Sequence, residues 1–217
     1  MKRSYRFSLR FTAFACLAVL ILATTALAGP PLICHPFDIG TAKSLPFTGT
    51  AWRLSGNEGY DIAGLTRDTL ALLDSNTPVI VRMETLRRAT LYAGQDPQVA
   101  KELLTRLHAR AASGDNAQNA LALFDFGYLV ETYGQWLGKD HNPAAGIDGY
   151  SFVKKALALR GNDPQMEFAA ALITSFRGPA GEHQEHAQKA MAGAKTDALL
   201  SRNLSSDFIV SVMKSRS

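Results

Sequence analysis

The chain has 217 residues and a formal net charge of +4, carried by 23 basic and 19 acidic residues. Residues 1–28 contain four of the basic residues and none of the acidic ones, so residues 29–217 carry 19 of each. A chain without net charge lacks the clustered cations that bind a polyphosphate backbone, which argues against nucleic acid as a partner. Residues 29–217 are numerous enough to form one hydrophobic core.

Residues 1–28 have the pattern of a secretory signal peptide. A basic head without acidic residues precedes the uncharged run 11–28, which ends in the small-residue sequence Ala26-Leu27-Ala28. We therefore predict cleavage after Ala28 and a periplasmic or secreted protein, with no membrane span once the signal is removed. An uncleaved anchor is the alternative, because an apolar run of about eighteen residues is barely long enough to span a bilayer.

Residues 29–64 are predicted to form an extended N-terminal arm. The segment is rich in Pro, Gly, Thr and Ser, and its large apolar residues lack helical spacing. These residues are Ile33, Phe37, Ile39, Leu45, Phe47, Trp52 and Leu54. So many large apolar side chains argue against disorder. We predict that the arm lies in a groove left open by the first helices of the body, with Phe37 as an anchoring side chain.

Cys34 and His35 stand side by side in the arm, and Cys34 is the single cysteine after residue 28. Neighbouring side chains of an extended segment point to opposite faces, so the two are poorly placed to form a catalytic dyad. Haem attachment needs C-x-x-C-H, and a structural zinc site usually needs several cysteines. We interpret Cys34 as a small apolar packing residue without a catalytic role. An intermolecular disulfide and a reactive thiol are the alternatives.

From residue 65 onward the apolar residues recur with a helical period, and no run alternates as a strand would. The predicted helices cover 65–74, 77–93, 97–112, 116–137, 147–160, 164–176, 182–193 and 196–213. Two of the connections between predicted helices have the same arrangement. In each of them an aspartate, Asp96 or Asp163, caps the next helix, and a proline occupies the first position of that helix. Gly94 and Gly161 precede these caps and can close the preceding helix in the left-handed conformation.

Short stretches recur at regular offsets in the helical part. The sequence LRRA at 86–89 corresponds to VKKA at 153–156, 67 residues later, and QKA at 188–190 repeats the ending of the second stretch 34 residues further on. These offsets predict a unit of about 34 residues, the period of tetratricopeptide helix hairpins. Residues 152–159 resemble the second helix of such a repeat, whereas 141–146 interrupt the pattern like an insertion.

The resemblance to tetratricopeptide repeats covers residues 77–213. It implies an all-α fold, a degenerate tetratricopeptide-like helical-hairpin array (an α-solenoid), over residues 65–217; an irregular helical bundle is the alternative. Stacked helix hairpins form extended concave surfaces suited to binding. Our leading hypothesis is therefore an exported, non-catalytic module that binds a protein or peptide partner.

The second candidate site is the stretch EHQEH at 182–186. His183 and His186 lie one turn apart on a predicted helix and could offer metal ligands. The stretch is not H-E-x-x-H, and acidic residues are common in a solvated first turn, which is the simpler interpretation. We assign no catalytic residue, metal ligand or cofactor. A small periplasmic enzyme or metal-binding protein that uses Cys34 or the His183/His186 pair is the alternative function.

The predicted helix 116–137 is the most aromatic of the chain. It contains the letters D-F-G at 125–127, but no glycine-rich loop and no H-R-D motif accompany them, which excludes a protein kinase. Phe124 and Tyr128 lie one turn apart and belong either to the core or to a ligand-facing groove. No G-x-S-x-G, phosphate loop or dinucleotide fingerprint occurs anywhere in the sequence.

Overall fold

The computed structural model describes residues 30–48, 56–113, 119–161 and 163–215. In these ranges the chain is all-α, without strands, as predicted. A 3-10 turn, Ile62–Gly64, leads into nine described helices. They are α1 (Leu65–Leu72), α2 (Val79–Ala93), α3 (Pro97–Ala111), α4 (Ala120–Trp136), α5 (Gly149–Arg160), α6 (Pro164–Arg177), α7 (Ala180–Gly193), α8 (Ala198–Leu204) and α9 (Asp207–Lys214).

Some predicted features lie outside the described residues. The predicted signal peptide, 1–28, is one of them, and Trp52 and Leu54 of the arm are others. None of the described helices combines the length and the apolarity that crossing a membrane requires.

The two connections that contain Asp96 and Asp163 start the following helices as predicted. Asp96 and Asp163 each accept hydrogen bonds from the backbone N–H groups two and three residues further on, at 2.7 to 3.4 Å. A proline follows each cap as the first helical residue. Gly161 closes α5 with a φ of 61°, in the left-handed region. The same prediction is wrong for Gly94, whose φ of −63° continues the right-handed turn.

The predicted helix 196–213 is broken into two. α8 ends at Leu204, and α9 begins at Asp207 after an extended Ser206. The hydroxyl of Ser205 donates to the carbonyl of Arg202 at 2.7 Å, and such bonds give the backbone an alternative to the helical pattern. The break lets α9 pack against α6 and α7 and bury Ile209.

α2 lies at the centre of the protein. It contacts α1, α3, α4 and α6, and all of its residues except Arg88 are buried. The buried set includes Arg82, Glu84 and Arg87, which are charged. Charges at such positions require partners. Glu84 and Arg87 pair with each other on α2, and Arg82 pairs with Asp125 of α4.

The other helices pack largely in sequence order, α4 with α5 and α6 with α7. The backbones of α4 and α5 touch, because a Cβ atom added to Gly127 would lie 2.5 Å from the carbonyl oxygen of Gly149. α2 also contacts α6, two helix pairs further on. The repeat assignment and the solenoid stay predictions.

Residues 30–48 of the arm cross the helices. Leu32, Ile33, Phe37 and Leu45 are buried, and the ring of Phe37 packs edge-on against Phe168 of α6 at 5.9 Å. The arm was predicted to lie in a groove left open by the first helices. The structure places it against α2, α4, α6, α8 and α9. Polar side chains on α2, α4 and α8 bind its main chain.

Candidate binding cleft

A cleft of about 450 Å³ opens between α4, residues 137–148 and the junction of α6 with α7. Its apolar lining comes from Val130, Leu137, Ala144, Ile147 and Ile173, and its polar side chains are Glu131, Lys139, Asn142, Asp148 and Tyr150. Ligand sites in proteins span about 300–1,000 Å³ and combine apolar walls with a few polar groups. The cleft has the size and the lining of a binding site for a small molecule or for a few residues of peptide.

The residues that interrupt the repeat pattern form one side of this cleft. Gly146 has a φ of 84°, which reverses the chain, and Asp148 then caps α5 by accepting from the N–H of Ser151 at 3.1 Å. The preceding N–H, that of Tyr150, donates to Oε1 of Glu131 on α4 at 2.9 Å. The start of α5 is thereby held against α4, with Tyr150 at the cleft wall.

Behind the cleft, four side chains from α5, α6 and α7 form a hydrogen-bonded chain. The hydroxyl of Tyr150 lies 2.6 Å from Oε2 of Glu182 and 2.6 Å from Nε2 of His186. Nδ1 of His186 forms a short contact with Oε2 of Glu167. Glu167 and His186 are buried, whereas the side chain of Glu182 is 39% exposed. We call these four residues the relay.

Two lysines flank the relay. Nζ of Lys189 lies 3.5 Å from Glu167 and 2.7 Å from Glu185, which is exposed. Nζ of Lys154 lies 3.6 Å from Glu182 and 4.7 Å above the ring of Tyr150. Each end of the relay, Glu167 and Glu182, therefore lies near an ammonium group.

The electrostatics make Tyr150 a hydrogen-bond donor rather than a nucleophile. Burial and the nearby Glu182 carboxylate raise the pKa of Tyr150 above its ordinary value. The hydrogen bond from Tyr150 lowers the pKa of Glu182, and the charges of Lys154 and His186 act in the same direction. Glu182 is thus an anion and Tyr150 keeps its proton.

The interpretation of His183 and His186 as a solvated first turn is wrong, because both residues are buried. The ring nitrogens of His183 lie 2.9 Å from the carbonyl oxygen of Ala171 and 3.1 Å from that of Val212. His183 thus ties α7 to α6 and α9, while His186 faces Tyr150. The structure does not bring the two histidines to one site, and the described residues contain no group of three His, Cys, Asp or Glu side chains suited to a metal ion.

Cys34 and His35 lie apart from the cleft, against α2 and α9. Burial raises the pKa of the Cys34 thiol, an effect that the charge of Arg87 partly offsets. Burial lowers the pKa of His35, and its ring stacks on Phe208 at 5.3 Å. A thiol with a raised pKa is a poor nucleophile at neutral pH. This geometry offers no activated cysteine, although Cys34 is only partly buried.

The aromatic helix, α4, belongs mostly to the core. Phe124, Tyr128 and Tyr133 are fully buried, so the core interpretation is confirmed for them. Asp125 of the D-F-G letters forms a buried ion pair with Arg82 at 2.6 Å. Sequence reasoning did not find this pair.

Sequence reasoning also missed Tyr150 and Glu167 of the relay. One signal was available for Glu167, since it is the single charge in the apolar run 166–173. A carboxylate inside such a run indicates a buried partner. The sequence alone does not identify that partner, because His186 lies on another helix.

No family model, curated protein or solved structure matches this chain. A helical fold alone supports many functions, and the cleft is the feature of this fold whose geometry and chemistry bear on function.

Proposed function

We propose that this protein is an exported, non-catalytic helical module that binds a segment of a partner protein in the cleft. The observation that carries the proposal is the lining of the cleft, which joins apolar walls to hydrogen-bonding groups. Ile147 stands at its edge with 39% of its surface exposed. An exposed isoleucine beside an apolar wall gives a partner an apolar contact, and nearby Lys139 and Tyr150 offer polar ones.

The helices already bind an extended chain in this way, since the arm is bound through its main chain. Gln135 of α4 accepts from the N–H of Leu32 at 3.0 Å. Asn203 of α8 binds both the N–H and the carbonyl oxygen of Asp38, each at 2.9 Å. We infer that the cleft receives a partner by similar contacts.

A binding role is favoured over catalysis by the electrostatics described above. Tyr150 and Cys34 both have raised pKa values, and neither has the activation that a nucleophile requires. The metal-binding alternative loses its main support because His183 and His186 face different partners.

Affinity capture from a periplasmic extract tests the proposal. The wild-type protein, an Ile147→Asp variant and a Met191→Asp variant would be used as baits. Met191 is the matched control, because it is 45% exposed on α7 and does not line the cleft. We expect a partner that is captured by the wild type and by Met191→Asp and is lost with Ile147→Asp.

Equal capture by all three baits would place the binding surface elsewhere and overturn the proposal for the cleft. Stoichiometric zinc or copper in the purified protein, without any captured partner, would favour the metal-binding alternative. Export is tested separately by mass spectrometry of the exported protein, which should begin at Gly29. A chain that retains residues 11–28 would show that this segment is an anchor.

A further inference from the structure

Another opening, a groove of about 520 Å³, lies along the start of α4 between α3 and α5. Both flanking helices pack against α4 and hardly against each other, so a gap remains between them. The apolar lining of the groove comes from Leu123 of α4, from Phe152 and Leu159 of α5, and from alanines of α3 and α5. None of these residues lines the cleft, so the groove is a separate surface.

The groove is preformed, because one buried ring holds two of its walls. The ring of Phe126 on α4 lies 4.8 Å from that of Phe152 and 4.9 Å from that of His108, and both of these residues line the groove. Phe126 itself is 1% exposed and belongs to the core. Sites for small molecules are usually preformed and span about 300–1,000 Å³. The groove has the size and the fixed walls of such a site.

Lys155 gives the groove a positive charge. Its Nζ lies 5.2 Å above the ring of Phe152, and the side chain forms no ion pair with the described residues. The neighbouring Lys154, in contrast, lies 3.6 Å from Glu182. None of the described residues that line the groove is acidic. An ammonium group without a counter-ion beside apolar walls attracts an anion.

The rest of the lining favours a hydrocarbon chain over an extended peptide. Nearly every residue of a peptide brings an N–H and a C=O group, which require partners once they are buried. The body supplies such partners to the arm, whose main chain binds Glu84, Gln135 and Asn203. The groove has no amide, hydroxyl or carboxylate side chain among the described residues that line it. A hydrocarbon chain needs none of these groups.

We propose that the groove binds a fatty acid, with the hydrocarbon chain against Leu123 and Leu159 and the carboxylate beside Lys155. Burial of the methylene groups supplies most of the affinity. The ammonium group of Lys155 adds a contact that only the charged head of the ligand makes. This inference goes beyond the proposed function, because the groove and the cleft have no lining residue in common and each is tested without the other.

Binding is measured by titrating octanoate into the exported chain while NMR follows the leucine and isoleucine methyl groups. We expect the signals of Leu123 and Leu159 to shift and those of Ile147 and Ile173, in the cleft, to stay in place. Hexanoate should bind about fivefold more weakly, because it buries two fewer methylene groups. Shifts in the cleft instead of the groove, or no shift at all, would overturn the proposal.

The charge is tested with Lys155→Gln and with octanol, which has the same chain length as octanoate and no charge. Lys155→Gln should weaken octanoate binding about threefold and leave octanol binding nearly unchanged. Lys154→Gln is the matched control, because it makes the same change of net charge at the neighbouring residue, which does not line the groove. It should leave the binding of both compounds unchanged. Equal weakening of octanoate binding by the two variants would overturn the fatty acid as the ligand.

The apolar wall is tested with Leu159→Asp, which also places a negative charge at the groove. Met191→Asp is the matched control, because Met191 is exposed as well and does not line the groove. Leu159 is 37% exposed, so its substitution leaves the core intact. We expect Leu159→Asp to weaken octanoate binding about tenfold and Met191→Asp to leave it unchanged. Octanoate binding by Leu159→Asp as tight as that of the wild type would overturn the groove as the site.

A second copy of the chain or a segment of another protein, in place of the fatty acid, would give different results. A second copy predicts a wild type that is dimeric in analytical ultracentrifugation and a Leu159→Asp variant that is monomeric. Another protein predicts a captured partner that Ile147→Asp retains and Leu159→Asp loses. Either result would overturn the fatty acid. Octanoate binding in the groove without any captured partner would refute the proposed function and support the fatty-acid site.

Discussion

The carboxylate of Glu84 accepts a hydrogen bond from the backbone N–H of Phe37 at 3.0 Å, although the two residues are 47 positions apart. The same carboxylate binds the guanidinium groups of Arg87 and Arg88 at 2.7 Å. Arg87 in turn donates to the carbonyl oxygen of Ile33 at 3.0 Å. One buried anion on the central helix therefore joins the arm to the body.

Replacing Glu84 should destabilise the protein strongly. Glu84→Ala leaves the buried Arg87 without its anion and the N–H of Phe37 without its acceptor. We expect a loss of about 3–5 kcal/mol in the free energy of unfolding, measured by urea denaturation. The matched control is Arg202→Ala, which breaks an exposed ion pair between the arm and α8 and should change little. If both substitutions lowered the free energy of unfolding equally, the burial of Glu84 would not explain its contribution to stability.

The arm should depend on Phe37 and tolerate substitution of Cys34. Phe37 is 4% exposed and packs on Phe168, so Phe37→Ala should cost about 3 kcal/mol and lower the melting temperature distinctly. Cys34 is partly exposed, and Cys34→Ser should leave folding and partner capture nearly unchanged. Rapid reaction of Cys34 with a thiol reagent at neutral pH, or a disulfide-linked dimer in non-reducing gels, would contradict this view of the cysteine.

The cap at the start of α6 can be tested by replacing Asp163, which also forms a partly exposed ion pair with Arg160 that contributes little. Asp163 accepts from two backbone N–H groups, so Asp163→Ala should cost about 1 kcal/mol in thermal or urea unfolding. Asp140 is an exposed residue that caps no helix, and Asp140→Ala is the control. A loss at Asp163 no larger than that at Asp140 would mean that α6 does not depend on its cap.

The buried pair of Arg82 and Asp125 predicts a pH dependence on the acidic side. Burial raises the pKa of Asp125 to about 6 from an ordinary value of 3.8, against the opposing charge of Arg82. The folded state thus binds a proton more tightly than the unfolded state, so this contribution to stability is present below pH 4 and is lost as the pH rises to about 6. Asp125→Asn cannot ionise, and its stability should fall less over this window. Parallel stability curves for the two proteins would contradict the prediction.

Local features of the sequence determined most of the helical framework. Asp96-Pro97 and Asp163-Pro164 begin helices where they were predicted, because a cap and a first-turn proline act within a few residues. The helical period from residue 65 onward likewise predicted the all-α class. The break at Ser205-Ser206 was missed, since nothing in the apolar spacing marks it.

Tertiary packing decided which polar residues are buried and what they contact. The helical spacing of His183 and His186 was readable, but their partners, Ala171, Val212 and Tyr150, lie on other helices.

In the same way, nothing near Glu84 in the sequence predicts that the arm would cross it, and nothing near Tyr150 predicts Glu182. Periodicity determines which residues share a face of a helix. The segment that covers this face is determined by packing between residues that are far apart in the chain, so the arm contacts, the relay and the cleft became visible only in the folded structure.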